Sequence, residues 1–144
     1  MRGILFDRPG VVERARAGIE REGLLDRCRI VGGSFLEDVP SEADAYLLRH
    51  ILHNWDDEHV VVILKRIHEA MADNAKLLIV DRIIPPGNEP LFGKIMDLNM
   101  LVMLRGVERT EEEFRQLFGL AGFRLNRIVP TEAEVSVIEG VKVR

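Results

Sequence analysis

Lys76-Leu77-Leu78-Ile79-Val80 is a short apolar run without polar alternation, closed by Asp81. A strand apolar on both faces reads as buried on both, as in a parallel sheet covered by helices. Upstream, Asp56-Asp57-Glu58 sets carboxylates where they suit a helix dipole. The helix they open carries Val61, Leu64, Ile67, His68 and Met71 at three-to-four spacing and breaks at Asp73-Asn74. Before it, Ala45-Tyr46-Leu47-Leu48 and Cys28-Arg29-Ile30-Val31 read as strands, the second ended by Gly32-Gly33. Ile4-Leu5-Phe6 is a further strand, stopped by Asp7-Arg8-Pro9-Gly10. A helix follows over residues 11–22, with Gly23 as its C-cap. Downstream, Pro85-Pro86-Gly87-Asn88-Glu89-Pro90 is a loop, and residues 95–104 are apolar nearly all round, which predicts a buried helix. Thr110 and Glu113 form a capping box for a helix bearing Phe114, Leu117 and Phe118. Residues 123–129 and 135–138 form a closing strand pair.

The order βαβ(α)βαβαβαββ predicts one α/β domain around a mainly parallel sheet ending in an antiparallel strand pair. The 144 residues suit a single domain, and 47% hydrophobic with 31% charged residues is a globular composition. Twenty basic and 24 acidic side chains leave a net charge of −4. That mixture leaves no basic stripe for nucleic acid or an anionic membrane. Cys28 stands alone, so a disulfide framework and a cysteine-rich zinc site are excluded, and a reducing cytoplasm is expected. The N-terminal residues show no signal-peptide pattern, and no apolar run approaches the roughly 20 residues of a membrane span.

Ligands of such sheets sit beyond the carboxyl ends of the strands, where Asp7, Ser34, His53 and Asp81 fall. Asp7 reads either as a turn carboxylate or as an acceptor for ribose hydroxyls. His53, between a strand and a helix, is either a helix-start residue or a base that takes a proton from a hydroxyl. His50 is expected to point elsewhere, His59 to lie on a solvated face and His68 to be partly buried. Asp81 and Glu108 are caps or surface charges singly, but a carboxylate beside His53 would fix its tautomer and stabilise its imidazolium. His53, Asp81 and Glu108 lack compact metal-ligand spacing. Met96, Met100 and Met103 recur at helical spacing, as core or as the wall of an aromatic-substrate pocket.

Several ordered stretches carry a resemblance. They are Phe6-Asp7-Arg8-Pro9, Gly32-Gly33-Ser34-Phe35 with Val39-Pro40, Ala43-Asp44-Ala45-Tyr46, His53-Asn54-Trp55-Asp56-Asp57-Glu58, Val80-Asp81-Arg82-Ile83-Ile84-Pro85, and Glu108-Arg109-Thr110 with Phe114. Nearly end to end, the chain resembles the C-terminal catalytic domain of the S-adenosylmethionine-dependent O-methyltransferases of the plant caffeate/flavonoid and bacterial antibiotic type. The resemblance implies a Rossmann-like methyltransferase fold and methyl transfer to a hydroxyl of a small, aromatic molecule, with no metal required. It implies that Asp7 holds the cofactor ribose, that Ser34 and Phe35 lie near the adenine, and that Arg49 stands near the cofactor carboxylate. His53 matches the general base, and Asp81 and Glu108 match the acids that orient it. Trp55, Met100 and Met103 would shape the acceptor pocket. Ser34 stands where the family usually has an acid, and Asn54 where an aspartate is common.

The family's G-G-G-x-G loop and first strand are absent, so residues 1–144 are expected to be a partial catalytic domain. A missing central strand leaves three expectations: a fragment, a gap closed by pairing the first strand with the third, or an edge borrowed from another copy. The last leads to a homo-oligomer. Loss of the glycine loop argues against activity of the chain alone. The alternative reading is then a non-catalytic remnant serving as a binding or dimerisation module, whereas retention of His53, Asp81 and Glu108 points to catalysis. A dehydrogenase half-domain is disfavoured by the lack of G-x-G-x-x-G.

Overall fold

The computed structural model describes residues 1–41, 43–87, 92–104 and 106–143. In chain order the elements are β1 Gly3–Asp7, α1 Pro9–Arg21, β2 Cys28–Gly32, β3 Ala45–Arg49, a 3₁₀ turn Leu52–Asn54, α2 Asp57–Ala70, β4 Lys76–Asp81, α3 Phe92–Leu104, α4 Glu111–Leu120, β5 Phe123–Pro130 and β6 Ser136–Lys142. The parallel pairs and the terminal antiparallel pair stand as expected. The strands nevertheless divide into two sheets, β1-β2 and β3-β4-β6-β5. β1 pairs in parallel with β2 alone, Asp7 opposite Gly32, and not with β3.

β4 lies between β3 and β6, parallel to the first and antiparallel to the second. Its Leu77 and Ile79 are fully buried on the face covered by α2 and α4. α2 presents Val60, Ile63, Leu64 and Ile67 to that core, so its buried face is turned slightly from the predicted stripe and Val61 is only half-buried. α4 adds Phe114, Leu117 and Phe118. Each such side chain contributes roughly 1.5–3 kcal/mol on leaving water. Asp56 caps α2 by accepting from His59 N at 3.0 Å. Thr110 and Glu113 close the expected capping box on α4.

Three expectations are corrected. Among the described residues no helix joins β2 to β3. Residues 33–41 instead turn on Ser34, whose carbonyl accepts from Glu37 N and Asp38 N at 3.0 Å each, and Tyr46 Oη ties the segment down through Pro40 O at 3.0 Å. Among the described residues no strand lies between α3 and α4, where one bridge, Ile83 with Arg109, takes its place. α3 is not buried: Leu98, Leu101, Val102 and Met103 are exposed, the last at 74%. Apolar content makes burial favourable, but a second surface must be present to provide it, and no described element covers this face. Part of the predicted loop over residues 85–90, namely 88–90, lies outside the described residues. Among the described residues no helix is long and apolar enough to cross a membrane.

Candidate active site

The site is built where the chain leaves β3. His50 turns the backbone at φ 53°, a left-handed conformation uncommon outside glycine, and its N–H donates to Val80 O at 3.1 Å. Leu52, fully buried, pins the 3₁₀ turn that follows. Asn54 Nδ2 closes that turn on His50 O at 3.1 Å. The turn is clamped from the other side by residues 106–109. Val107 N donates to His53 O at 2.9 Å. A Cβ on Gly106 would collide with His53 O and lie 3.0 Å from Asn54 Cα, so only glycine allows this approach.

Arg109 is the buried clamp. Its Nη1 donates to Leu52 O at 3.0 Å and Val107 O at 3.1 Å, and its Nη2 to Trp55 O at 2.8 Å. Nε and Nη2 both reach Asp57 Oδ1, at 3.0 and 2.8 Å. One guanidinium thereby satisfies three carbonyls and joins the turn to the start of α2.

This scaffold brings the three predicted catalytic residues together. His53, its side chain 12% exposed, places Nδ1 3.0 Å from Glu108 Oε1 and 3.5 Å from Asp81 Oδ1. With Nδ1–H donated to Glu108, Nε2 keeps the lone pair that can accept a proton. The Glu108 hydrogen bond lifts the imidazole above its usual value. The charges of Asp81 and Glu108 add to this, while burial and Arg82 oppose it. Asp81 ends β4, accepts from Arg82 N at 3.2 Å and is buried. Burial raises its carboxyl above the ordinary range, against the pull of His53. Glu108 is held through its own N–H, donated to Asp97 Oδ1 at 2.8 Å, and by Arg82 Nη1 at 3.6 Å. A general base oriented by two buried carboxylates is the chemistry this arrangement offers.

His50 corrects the expectation that it points elsewhere. Its ring stacks on His53 with centroids 5.3 Å apart, and its Nδ1 lies 3.5 Å from Asp81 Oδ1. His59 is exposed as expected, paired to Asp56 at 2.7 Å, and His68 is half-buried against Phe123.

Of the other predicted residues, Asp7 and Arg49 end β1 and β3, and Ser34 follows β2. Asp7 ends β1 and accepts from Arg8 N at 2.7 Å, and its carbonyl accepts from Gly33 N at 3.0 Å, beside Ser34. Phe35 packs edge-on against Trp55 with centroids 5.9 Å apart, so the predicted adenine side touches the predicted acceptor side. Trp55 also tilts against His59 at 5.3 Å. Arg49 ends β3 and is exposed. Met100 is half-buried on α3 and Met103 exposed. A cavity of about 630 Å³ runs from Ser34 past Phe6 and Val31 to Ala70, and does not reach Asp7, Phe35 or His53. A second, about 360 Å³, lies between Arg82 and the β5–β6 turn.

Arg109, Asp97 and Gly106 carried no predicted role. Arg109 stood within a quoted stretch, but its work is done on backbone carbonyls, which no side-chain pattern reveals.

The profile of a family described as O-methyltransferase domain matches residues 1–124. The phenazine O-methyltransferase PhzM of Lysobacter antibioticus is 46% identical over 138 residues, covering 96% of this chain and 40% of its own length. The crystal structure of LaPhzM superposes with a TM-score of 0.95 at 45% identity, over 99% of this chain and 43% of that one. The O-methyltransferase NcsB1 of neocarzinostatin biosynthesis, solved with S-adenosylmethionine and 2-hydroxy-5-methyl naphthoic acid, superposes with a TM-score of 0.90 at 31% identity, over 99% of this chain and 42% of that one. The chain thus spans about 40% of the length of the curated relatives it matches.

Proposed function

The chain belongs to the O-methyltransferase domain family, whose cofactor is S-adenosylmethionine, and from that premise we propose that it carries the base, and part of the cofactor site, of a transferase that methylates a hydroxyl of a small aromatic molecule. The observation that supports this most is the 3.0 Å contact of His53 Nδ1 with Glu108 Oε1, made beside Asp81.

The carboxyl ends of the strands fit such a cofactor. The half-buried Asp7 carboxylate accepts one bond, from Arg8 N, and keeps acceptor capacity for ribose hydroxyls. Ser34 and Phe35 supply a polar and an aromatic neighbour for adenine, and Arg49 a cation for the carboxylate. When bound, S-adenosylmethionine supplies a methyl group on a positively charged sulfur. His53 Nε2 takes the acceptor's hydroxyl proton, which raises the nucleophilicity of the oxygen. Glu108 holds Nδ1–H so that the imidazolium forms in place, and Asp81 adds negative charge beside it. Trp55, Met100 and Met103 face the aromatic acceptor.

His53→Gln is expected to slow methylation of phenolic acceptors by about 10²–10⁴-fold, with calorimetric affinity for S-adenosylhomocysteine unchanged. Asp7→Ala is expected to weaken that affinity first. A His53→Gln chain that loses cofactor affinity as fully as turnover refutes the base. The exposed apolar face of α3 supports self-association, which sedimentation velocity measures, and the single half-buried thiol of Cys28 suits a reducing cytoplasm.

A further inference from the structure

We propose that His50, His53 and Asp81 form a binding site for a divalent transition cation of the zinc or cobalt type. Ligand atoms of His50, His53 and Asp81 all lie within 4.8 Å of one another. Asp81 Oδ1 is 3.5 Å from Nδ1 of each histidine, and Glu108 Oε1 is 3.0 Å from Nδ1 of His53. Tetrahedral coordination with bonds of about 2.0–2.2 Å places neighbouring ligand atoms about 3.3–3.6 Å apart. The two contacts to Asp81 Oδ1 match edges of that tetrahedron.

The polar inventory points the same way. His50 Nδ1, Asp81 Oδ2 and Glu108 Oε2 are buried without a hydrogen-bond partner. Buried polar atoms are normally paired, and a cation on His50 Nδ1 would satisfy one of these orphans. With neutral imidazoles, the two carboxylates outweigh the nearby Arg82 and leave the cluster negative. The left-handed backbone of His50, which directs its ring onto His53, is a cost that a binding role explains. Two imidazoles with one carboxylate select a borderline metal over magnesium or calcium, which prefer all-oxygen sites.

A cation on Nδ1 of His53 moves the ring proton to Nε2, the nitrogen proposed as the base. Occupancy and catalysis therefore exclude one another, a consequence that rests on the proposed function; the binding site itself does not.

The test is titration of the chain with cobalt(II) chloride, without methyl donor or acceptor, followed by visible absorption. A tetrahedral d–d band saturating at about one cobalt per chain, displaced by zinc and not by magnesium, is expected. His50→Asn, chosen because asparagine tolerates a positive φ, should raise the half-saturation concentration at least about tenfold, with far-ultraviolet dichroism unchanged. His50→Gln provides the same reading should the first variant unfold. His59→Ala, which removes the exposed His59–Asp56 pair, should leave the band intact. No band in the parent chain, or equal affinity in a folded His50 variant, overturns the site. Because the band reads metal alone, its failure leaves the methyl-transfer proposal standing, and a failed methylation assay leaves the band standing.

Discussion

β1 and β4 are written almost alike. Each is a short apolar run closed by aspartate and arginine, Phe6-Asp7-Arg8 in one and Val80-Asp81-Arg82 in the other. Both are in parallel pairs, and in both the aspartate Oδ1 accepts from the arginine N–H that follows, at 2.7 Å for Asp7 and 3.2 Å for Asp81. There the likeness ends. β4 has strands on both sides and helices over its buried face, whereas β1 pairs only with β2. Asp81 is consequently sealed beside two histidines and another acid, while Asp7 remains open to a ligand. The same local chemistry thus becomes an orienting carboxylate in one place and a candidate cofactor contact in the other. Neighbours decide which.

The largest test of that contrast is stability. Ile79→Ala, at a fully buried site, is expected to cost about 2–5 kcal/mol in urea unfolding. Ile4→Ala, 36% exposed on β1, is expected to cost under about 1 kcal/mol. Equal losses would mean that β1 is covered in solution by something the described residues do not include.

The second test concerns the charge at the end of β4. The folded state raises the pKa of His53, so the stability this residue contributes is full below the ordinary imidazole value of about 6.5 and is lost as pH rises through the raised one. Glu108→Gln removes the hydrogen-bonding carboxylate that is the largest cause. The His53 ring signal in proton–carbon NMR should then titrate at lower pH than in the parent chain. An unchanged midpoint would assign the shift to Asp81 instead.

The starts of two helices, α1 after Asp7 and α4 beside the His53 turn, give the smallest test. α1 has no side-chain cap at Arg8, whereas α4, part of the clamp on His53, has a complete capping box. Thr110→Ala is expected to lower thermal stability by about 1 kcal/mol, and Arg8→Ala to leave it within about 0.5 kcal/mol.

Much of this organisation was legible from residue order. Strands at 4–6, 28–31, 45–48 and 76–80, the capping box of Thr110 with Glu113, and the meeting of His53, Asp81 and Glu108 follow from patterns whose physics is local or whose family resemblance is specific. What escaped depends on partners distant in sequence. His50 joins the cluster through a positive φ, which a histidine does not announce. Arg109 works on backbone carbonyls. α3 looks like core because its side chains are apolar, and burial is a property of two surfaces. The expected strand before α4 shrank to the single bridge of Ile83 with Arg109, because the segment is spent on clamping the His53 turn.

Trp55 is the only tryptophan of the chain, and it sits in that turn, between Phe35 and His59 and with its carbonyl on Arg109. Its fluorescence is therefore a beacon for one small region. A thermal melt followed by emission reports the release of the 50–57 segment, while far-ultraviolet dichroism reports the helices and sheets. Coincidence of the two curves would show the site and its scaffold melting as one cooperative unit. An earlier optical transition would identify the turn as a separately yielding foldon.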